Sequence, residues 1–329
     1  MLVLLRRQWF LAGMLLVLLA AWALPPLPAG AWQDRLELGL IASIFLASGI
    51  AIRTRELGRG LGHWRLHALI LGFSLVDTVL ICWLLDQLWQ ALGLDPALRL
   101  GLLVLGALPI TIASCVALTN AAGGNQTGAL VNASLGNLLG VFITPAWILL
   151  FAGGSRVDLS LFAVMEKLGL VVLLPLLFGQ VLHWFAGHAR VDRLRGLLGP
   201  VSQVLLLGIV FLGFSAAFAG EGTRIDWRNM TATLGICVLL HGLFLALPWW
   251  VSGWSLLELD RADRTAAVIC ASQKGLALGL PLISLVFADD PDLPLIALPI
   301  LVYHPLQLIV AAALVPRLAA WNAAGRTAG

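Results

Sequence analysis

Charge is scarce in this chain. Asp, Glu, Lys and Arg make up 11% of its 329 residues, against about 25% in soluble domains. Lysine occurs only at positions 167 and 274, and tyrosine only at 303. With 60% hydrophobic residues and a mean hydropathy of +0.97, so little charge excludes a soluble globular protein. The chain reads as an integral membrane protein whose first partner is the lipid bilayer. No basic run interleaved with aromatics is present, so a nucleic-acid partner is not expected. The net charge of +3 matters less than where the charges fall. The four cysteines, Cys82, Cys115, Cys237 and Cys270, all lie in apolar runs without metal-finger spacing. They read as small buried hydrophobes, and neither a disulfide framework nor a metal site is expected. There is also no His-Glu-x-x-His run, no Gly-x-Ser-x-Gly and no phosphate-binding loop, so neither an enzyme nor a cofactor is expected.

What the sequence has instead is long apolar runs. A helix needs roughly 20 such residues to cross the hydrocarbon layer. Runs between charged or Pro/Gly-rich breaks predict an all-α protein of ten spans near 8–24, 36–52, 66–89, 98–120, 126–152, 161–186, 198–219, 231–256, 265–288 and 293–319. The stretch from Arg6-Arg7 through Pro25-Pro26 to Ala29-Gly30-Ala31 has the outline of a signal peptide. The many spans that follow make it the first transmembrane helix. Spans four and five are separated only by the uncharged TNAAGGNQ. Trp249, Trp250 and Trp254 suit interfacial anchors. With both termini cytoplasmic, thirteen Lys and Arg fall on the inner side (among them Arg6, Arg7, Arg53, Arg55, Arg59, Arg190, Arg261 and Arg264) and six on the outer. That is the distribution of the positive-inside rule. The acidic Asp289-Asp290-Pro291-Asp292 loop falls outside.

Ten spans split into two sets of five, and an odd number per set forces opposite orientations. Two inverted repeats follow, 1–152 and 153–329. Span two (IFLASGIAI from Ile44) resembles span seven (VFLGFSAAF from Val210). Spans four and nine both interrupt apolar sequence with small polar residues, ITIASCVALTN and VICASQKGLALG. Inverted repeats with discontinuous helices meeting at the midplane are a transporter design.

Candidate site residues cluster at these breaks. The first contributes Ser114, Cys115 and Asn120, followed by Asn125, Asn132 and Ser134. Such residues either line a cavity or serve as interhelical glue. The second contributes Ser272, Gln273 and Lys274. No other charge occurs between Arg264 and Asp289, so the Lys274 amine lies near mid-membrane, at a cost of about 2.5–3.5 kcal/mol on insertion scales. It either attracts an anionic substrate or occupies the place of a metal cation, and reversible protonation there would permit proton-linked transport. Asp77, in span three, is either a proton carrier, the partner of Lys274, or a local hydrogen-bonding group. Asp86 lies nearer the outer end. His304, beside Tyr303 and Pro305, is the best of the intramembrane histidines, ahead of His67 and His241, and is a further charge or proton partner.

At these residues the sequence resembles the bile acid:sodium symporter family, in the branch that includes vertebrate solute carrier family 10 member 7 and many bacterial relatives. The stretches that carry the likeness are RRQWFLAG at Arg6, Leu118 to Pro145, Ser272-Gln273-Lys274 through GLPL, and LPILVYHPLQLIVAAALVP from Leu298. The resemblance implies ten helices in two parts: a panel of helices one, two, six and seven, and a core in which broken helices four and nine cross beside the site. It implies secondary transport of a small organic anion by alternating access, in a bacterial inner (plasma) membrane. Sodium-coupled members carry Ser-Asn in the fourth-helix break, where this chain has Ser114-Cys115. They carry Glu-x-x-x-Gln in the ninth, where it has Val268 and Ser272. The lost glutamate and the gained Lys274 argue against Na+ coupling by symport. The alternative is a non-transporting regulatory or partner-binding membrane protein, for example in calcium homeostasis, that keeps the fold.

Overall fold

The structure, a computed structural model, describes residues 9–24, 31–51, 62–152, 166–219, 226–288 and 290–326. Among the residues singled out above, Arg6, Arg7, Pro25, Pro26, Ala29, Gly30, Arg53, Arg55, Arg59 and Asp289 lie outside these ranges, as does the junction of the expected repeats. Among the described residues, regular structure is entirely helical. The helices are α1 (Trp9–Ala23), α2 (Ala31–Ala51), α3 (Trp64–Ala91), α4 (Pro96–Ala107), α5 (Ile112–Ala121), α6 (Gln126–Ala152), α7 (Glu166–Ala186), α8 (His188–Ala219), α9 (Trp227–Val251), α10 (Arg261–Ser272), α11 (Leu276–Val286) and α12 (Leu293–Arg326). Local chemistry sets several boundaries. Asp95 accepts from Ala97 N at 2.8 Å, with Pro96 in the first turn, which starts α4. Asp260 does the same for α10 through Asp263 N at 2.7 Å. Gly123, at φ 68°, takes the left-handed turn that closes α5, and Gly124 N then donates to Thr119 O at 2.9 Å.

By length and composition, seven helices among the described residues can cross a membrane: α3, α6, α7, α8, α9, α12, and α10 with α11 counted together. The pair α4–α5, bent by 59°, makes an eighth. In the region of the first two expected spans, α1 is apolar throughout its 15 described residues, and α2 carries Asp34, Arg35 and Glu37 in its opening turns. The molecule is therefore an all-helical membrane protein with, among the described residues, seven candidate spans, or eight with the broken helix pair. Large apolar side chains such as Leu84, Leu239 and Phe185 are exposed, as suits a lipid surround.

Two compact units make up the chain. One contains residues 1–52, 157–226 and 280–297, and the other 53–156, 227–279 and 298–329. In the first, α2 packs on α7 and α8 at glycine contacts. A Cβ at Gly49 would stand 2.2 Å from Leu176 O, and one at Gly179 would stand 2.4 Å from Leu46 O. The second unit has a buried cluster that includes Leu66, Ile70, Ile110, Cys115, Ala266 and Cys270, drawn from α3, α5 and α10 and from the α4–α5 connection.

Candidate functional site

Proline begins the first break. Pro109 has no N–H and disfavours helical geometry at the residue before it, and Leu108 is extended at ψ 143°. Thr111 is extended too, at ψ 134°, so the carbonyls from Gly106 to Ile110 need partners outside their own helix. In a membrane such groups must be satisfied by protein, and each of them is. Gly106 O accepts from Thr78 Oγ1 at 2.8 Å, and Ala107 O from Thr144 Oγ1 at 2.8 Å. Leu108 O accepts from Lys274 Nζ at 2.8 Å, Pro109 O from Gly275 N at 2.7 Å, and Ile110 O from Asn137 Nδ2.

The second break, Gln273 to Gly275, meets the first. The bond from Gly275 to Pro109 joins the two, and the absence of a side chain at Gly275 permits it: a Cβ there would lie 3.2 Å from Pro109 O. Gln307 of α12 clamps the unwound backbone from both sides. Its Oε1 accepts from Lys274 N at 2.7 Å, and its Nε2 donates to Lys274 O at 2.9 Å. Tyr303, one turn earlier in α12, donates to Ser272 O at 2.8 Å, and His241 Nδ1 lies 2.9 Å from the Tyr303 hydroxyl.

Lys274 is fully buried. Its Nζ lies 2.7 Å from Ser74 O, 2.8 Å from Thr78 Oγ1, 2.9 Å from Gly106 O and 2.8 Å from Leu108 O. The Phe244 ring centroid is 5.8 Å from Nζ, within cation–π range. No carboxylate stands among these neighbours. Two distortions supply the oxygens. The α4–α5 break frees Gly106 O and Leu108 O. In α3, a π-helical turn over Phe73–Asp77 bonds Thr78 N to Phe73 O, which opens the ladder and turns carbonyls outward. Ser74 O then accepts from Lys274, and Leu75 O from Trp147 Nε1 at 3.0 Å.

The other candidates separate into two groups. Ser114 lies where the two breaks meet: its Oγ is 3.0 Å from Thr111 Oγ1 and 3.4 Å from Gln273 Oε1. Gln273 and Ser272 are buried there, and His304 Nδ1 lies 3.0 Å from Gln307 Nε2. Cys115 sits in the apolar cluster with Cys270. Asn125, by contrast, stands at the start of α6. It donates to Asp263 Oδ1 at 2.6 Å and accepts from Gly128 N at 2.8 Å. Asp263 opens α10, ten residues before Gln273, or about 15 Å along a helix. Asn120 is exposed at the end of α5. Asn132 and Ser134 are buried in α6, Asn132 donating to Gly128 O at 2.8 Å. Asp77 is exposed within the π turn, and Asp86 pairs with Arg99. Ser74, Thr78, Gln307 and Tyr303 complete the arrangement without having been singled out for it. Their only sequence signals are Thr78 beside the intramembrane Asp77 and the one-face spacing of Tyr303 and Gln307 in YHPLQ.

Residues 8–320 match the SBF-like CPA transporter family. The chain is 31% identical over 320 residues to sodium/bile acid cotransporter 7 of Rattus norvegicus, covering 96% of this chain and 94% of the relative. Its likeness to sodium/bile acid cotransporter 7 of Danio rerio is also 31% over 320 residues, covering 96% and 95%. To uncharacterized protein PA2026 of Pseudomonas aeruginosa it is 32% identical over 289 residues, covering 88% and 84%. The resemblance read from the sequence holds, and the vertebrate relatives are cotransporters in name. A helix-built membrane protein with two interrupted helices bonded at their breaks, matched over nearly its whole length, belongs to the SBF-like CPA transporter family and is a membrane transporter.

Proposed function

We propose that this protein is a secondary transporter that moves a small organic anion by alternating access without sodium coupling. The observation that carries the reading is the buried Lys274 ammonium where the two breaks meet, surrounded by four neutral oxygens. A fixed cation there neutralises the freed carbonyl ends without importing a metal ion, so a sodium gradient has no seat at this point from which to drive the cycle. Proton or exchange coupling remains open to it. The anionic character of the solute is supported by the helix starts. α5 and α11 both begin at these breaks, with the positive ends of their dipoles there. The Thr111 side chain does not cap α5, and Ser114 is half-buried beside it. The names of the vertebrate relatives, which couple sodium with bile acid, support an amphipathic organic anion as the solute class and contrast with the coupling proposed.

The fuller architecture belongs to the same proposal. It has ten spans in two inverted repeats, with both termini on the arginine-rich cytoplasmic side of a bacterial inner membrane. Helices one, two, six and seven form a panel. The interleaved composition of the two compact units supports that division.

The test is uptake into proteoliposomes of labelled organic anions, bile acids and simple carboxylates among them, with sodium replaced by choline. We expect uptake of at least one anion in choline medium at the rate seen in sodium, and its loss in Lys274→Ala under choline. Uptake that strictly requires sodium in the wild type would overturn the reading.

A further inference from the structure

The oxygens around Lys274 form a site in their own right. Four acceptors converge on one point at 2.7–2.9 Å, more than the three protons of an ammonium can each serve singly. Three are backbone carbonyls held open by a π turn and a proline break, and they belong to helix segments fixed by other contacts. Ser74 O also accepts from Thr78 Oγ1 at 2.9 Å, Gly106 packs so closely on α3 that a Cβ would lie 2.9 Å from Thr78 O, and Leu108 packs on Gly279. The arrangement therefore does not depend on the lysine chain for its geometry. Every acceptor is neutral. Calcium and magnesium sites use carboxylates and shorter distances, about 2.3–2.6 and 2.0–2.1 Å. Neutral carbonyls at ammonium distances suit a monovalent cation, as in carbonyl-lined selectivity filters.

We infer that Ser74 O, Thr78 Oγ1, Gly106 O and Leu108 O form a monovalent-cation site whose resident cation is the lysine's own ammonium, and that shortening Lys274 opens it to a free alkylammonium or alkali-metal ion. This rests on the reading of Lys274 as a fixed cation, and it adds a ligand class and a set of ligating atoms to that reading. Lys274→Ala removes three methylenes and the amine, which together are the heavy atoms of n-propylammonium. That ion is the closest soluble replacement. Potassium and sodium offer the charge without the stem.

The experiment is thermal unfolding of the purified full chain in N-methyl-D-glucamine chloride, titrated in turn with n-propylammonium, potassium, sodium and magnesium chlorides. A ligand that binds only the folded state raises apparent stability in a saturable way. In Lys274→Ala we expect a saturable rise in apparent Tm of about 3 °C or more with n-propylammonium and with an alkali-metal ion. We expect none with magnesium, none in the wild type, and a loss of the response in Lys274→Ala/Thr78→Val. Absence of any ion-specific rise in folded Lys274→Ala, or the same rise in the wild type, overturns the inference. Lys274→Ser is prepared in parallel. If neither variant folds with n-propylammonium or sodium present throughout extraction, that also counts against it, because an occupied site would support folding. The readout is stability rather than flux. Sodium-driven uptake by the wild type would sink the proposed function while leaving a positive titration intact, and a negative titration would leave sodium-free uptake untouched.

Discussion

The two units solve the same problem, holding helices together in lipid, by opposite means. In the unit of α1, α2, α7 and α8, the helices approach until backbone touches backbone. Gly49 and Gly179 face each other, Gln180 Nε2 donates to Gly49 O, and His183 Nδ1 lies 2.8 Å from Ile50 O. Small residues that allow close approach are the common adhesive of membrane helices. In the unit that contains Lys274, the helices are interrupted, and the freed backbone groups are met one by one by Thr78, Thr144, Asn137, Gln307 and Lys274. Close packing leaves α2 and α7 no room for a side chain between them at Gly49 and Gly179. Satisfied polar breaks make a unit in which side chains, rather than neighbouring turns, hold the backbone.

Three substitutions would break or sharpen this contrast. The largest effect is expected at the glycine contact. Gly49→Leu places a Cβ against Leu176 O and should cost on the order of 3 kcal/mol or more, read as loss of monodisperse folded protein in detergent. An unchanged yield and Tm would mean that the first unit does not rely on closeness. Next comes the clamp. Gln307→Leu keeps bulk but leaves Lys274 N and Lys274 O without their partner, at about 1–3 kcal/mol for each buried group. The Tm should fall clearly. Uptake should fall with it, even at temperatures where the variant is folded. A variant that unfolds early but transports normally when folded would reduce Gln307 to a purely structural role. The smallest effect is expected at the exposed pair Arg65–Glu258, whose side chains are 33% and 71% accessible. Such pairs contribute about 0–1 kcal/mol, so Arg65→Ala should shift unfolding by less than the other two. A large shift would show that the second unit depends on its surface as well as its breaks.

Much of this was legible in the chain. Apolar run length located most of the helices, and small polar residues inside spans four and nine marked both breaks to within a few residues. Lys274 stood out because charge is rare in such a segment. Its surroundings did not, for a physical reason: three of its four ligands are main-chain carbonyls, which every residue possesses and no residue type announces. The π turn at Phe73–Asp77 has no sequence signature either, since Phe73, Ser74, Leu75, Val76 and Asp77 would sit equally well in an unbroken α-helix. Asn125 illustrates the converse. Its amide read as cavity lining or as interhelical glue; an amide at a helix start also caps, and here it caps α6 and ties it to Asp263. Composition distinguishes polar from apolar, but it does not tell an amide that meets solute from one that meets backbone.

The π turn of α3 also has a consequence for phase. A turn with one extra residue rotates everything beyond it by about 100° relative to an uninterrupted helix. The stretch Thr78–Ala91 is thus out of step with Trp64–Gly72 on the same rod, and Thr78 is the first residue of the re-phased half. Deleting one residue between Phe73 and Asp77 would therefore do more than shorten α3. It would close the ladder over Ser74 O and turn every later side chain to a different neighbour. In that sense the helix is two faces spliced end to end, and Lys274 is bonded across the splice.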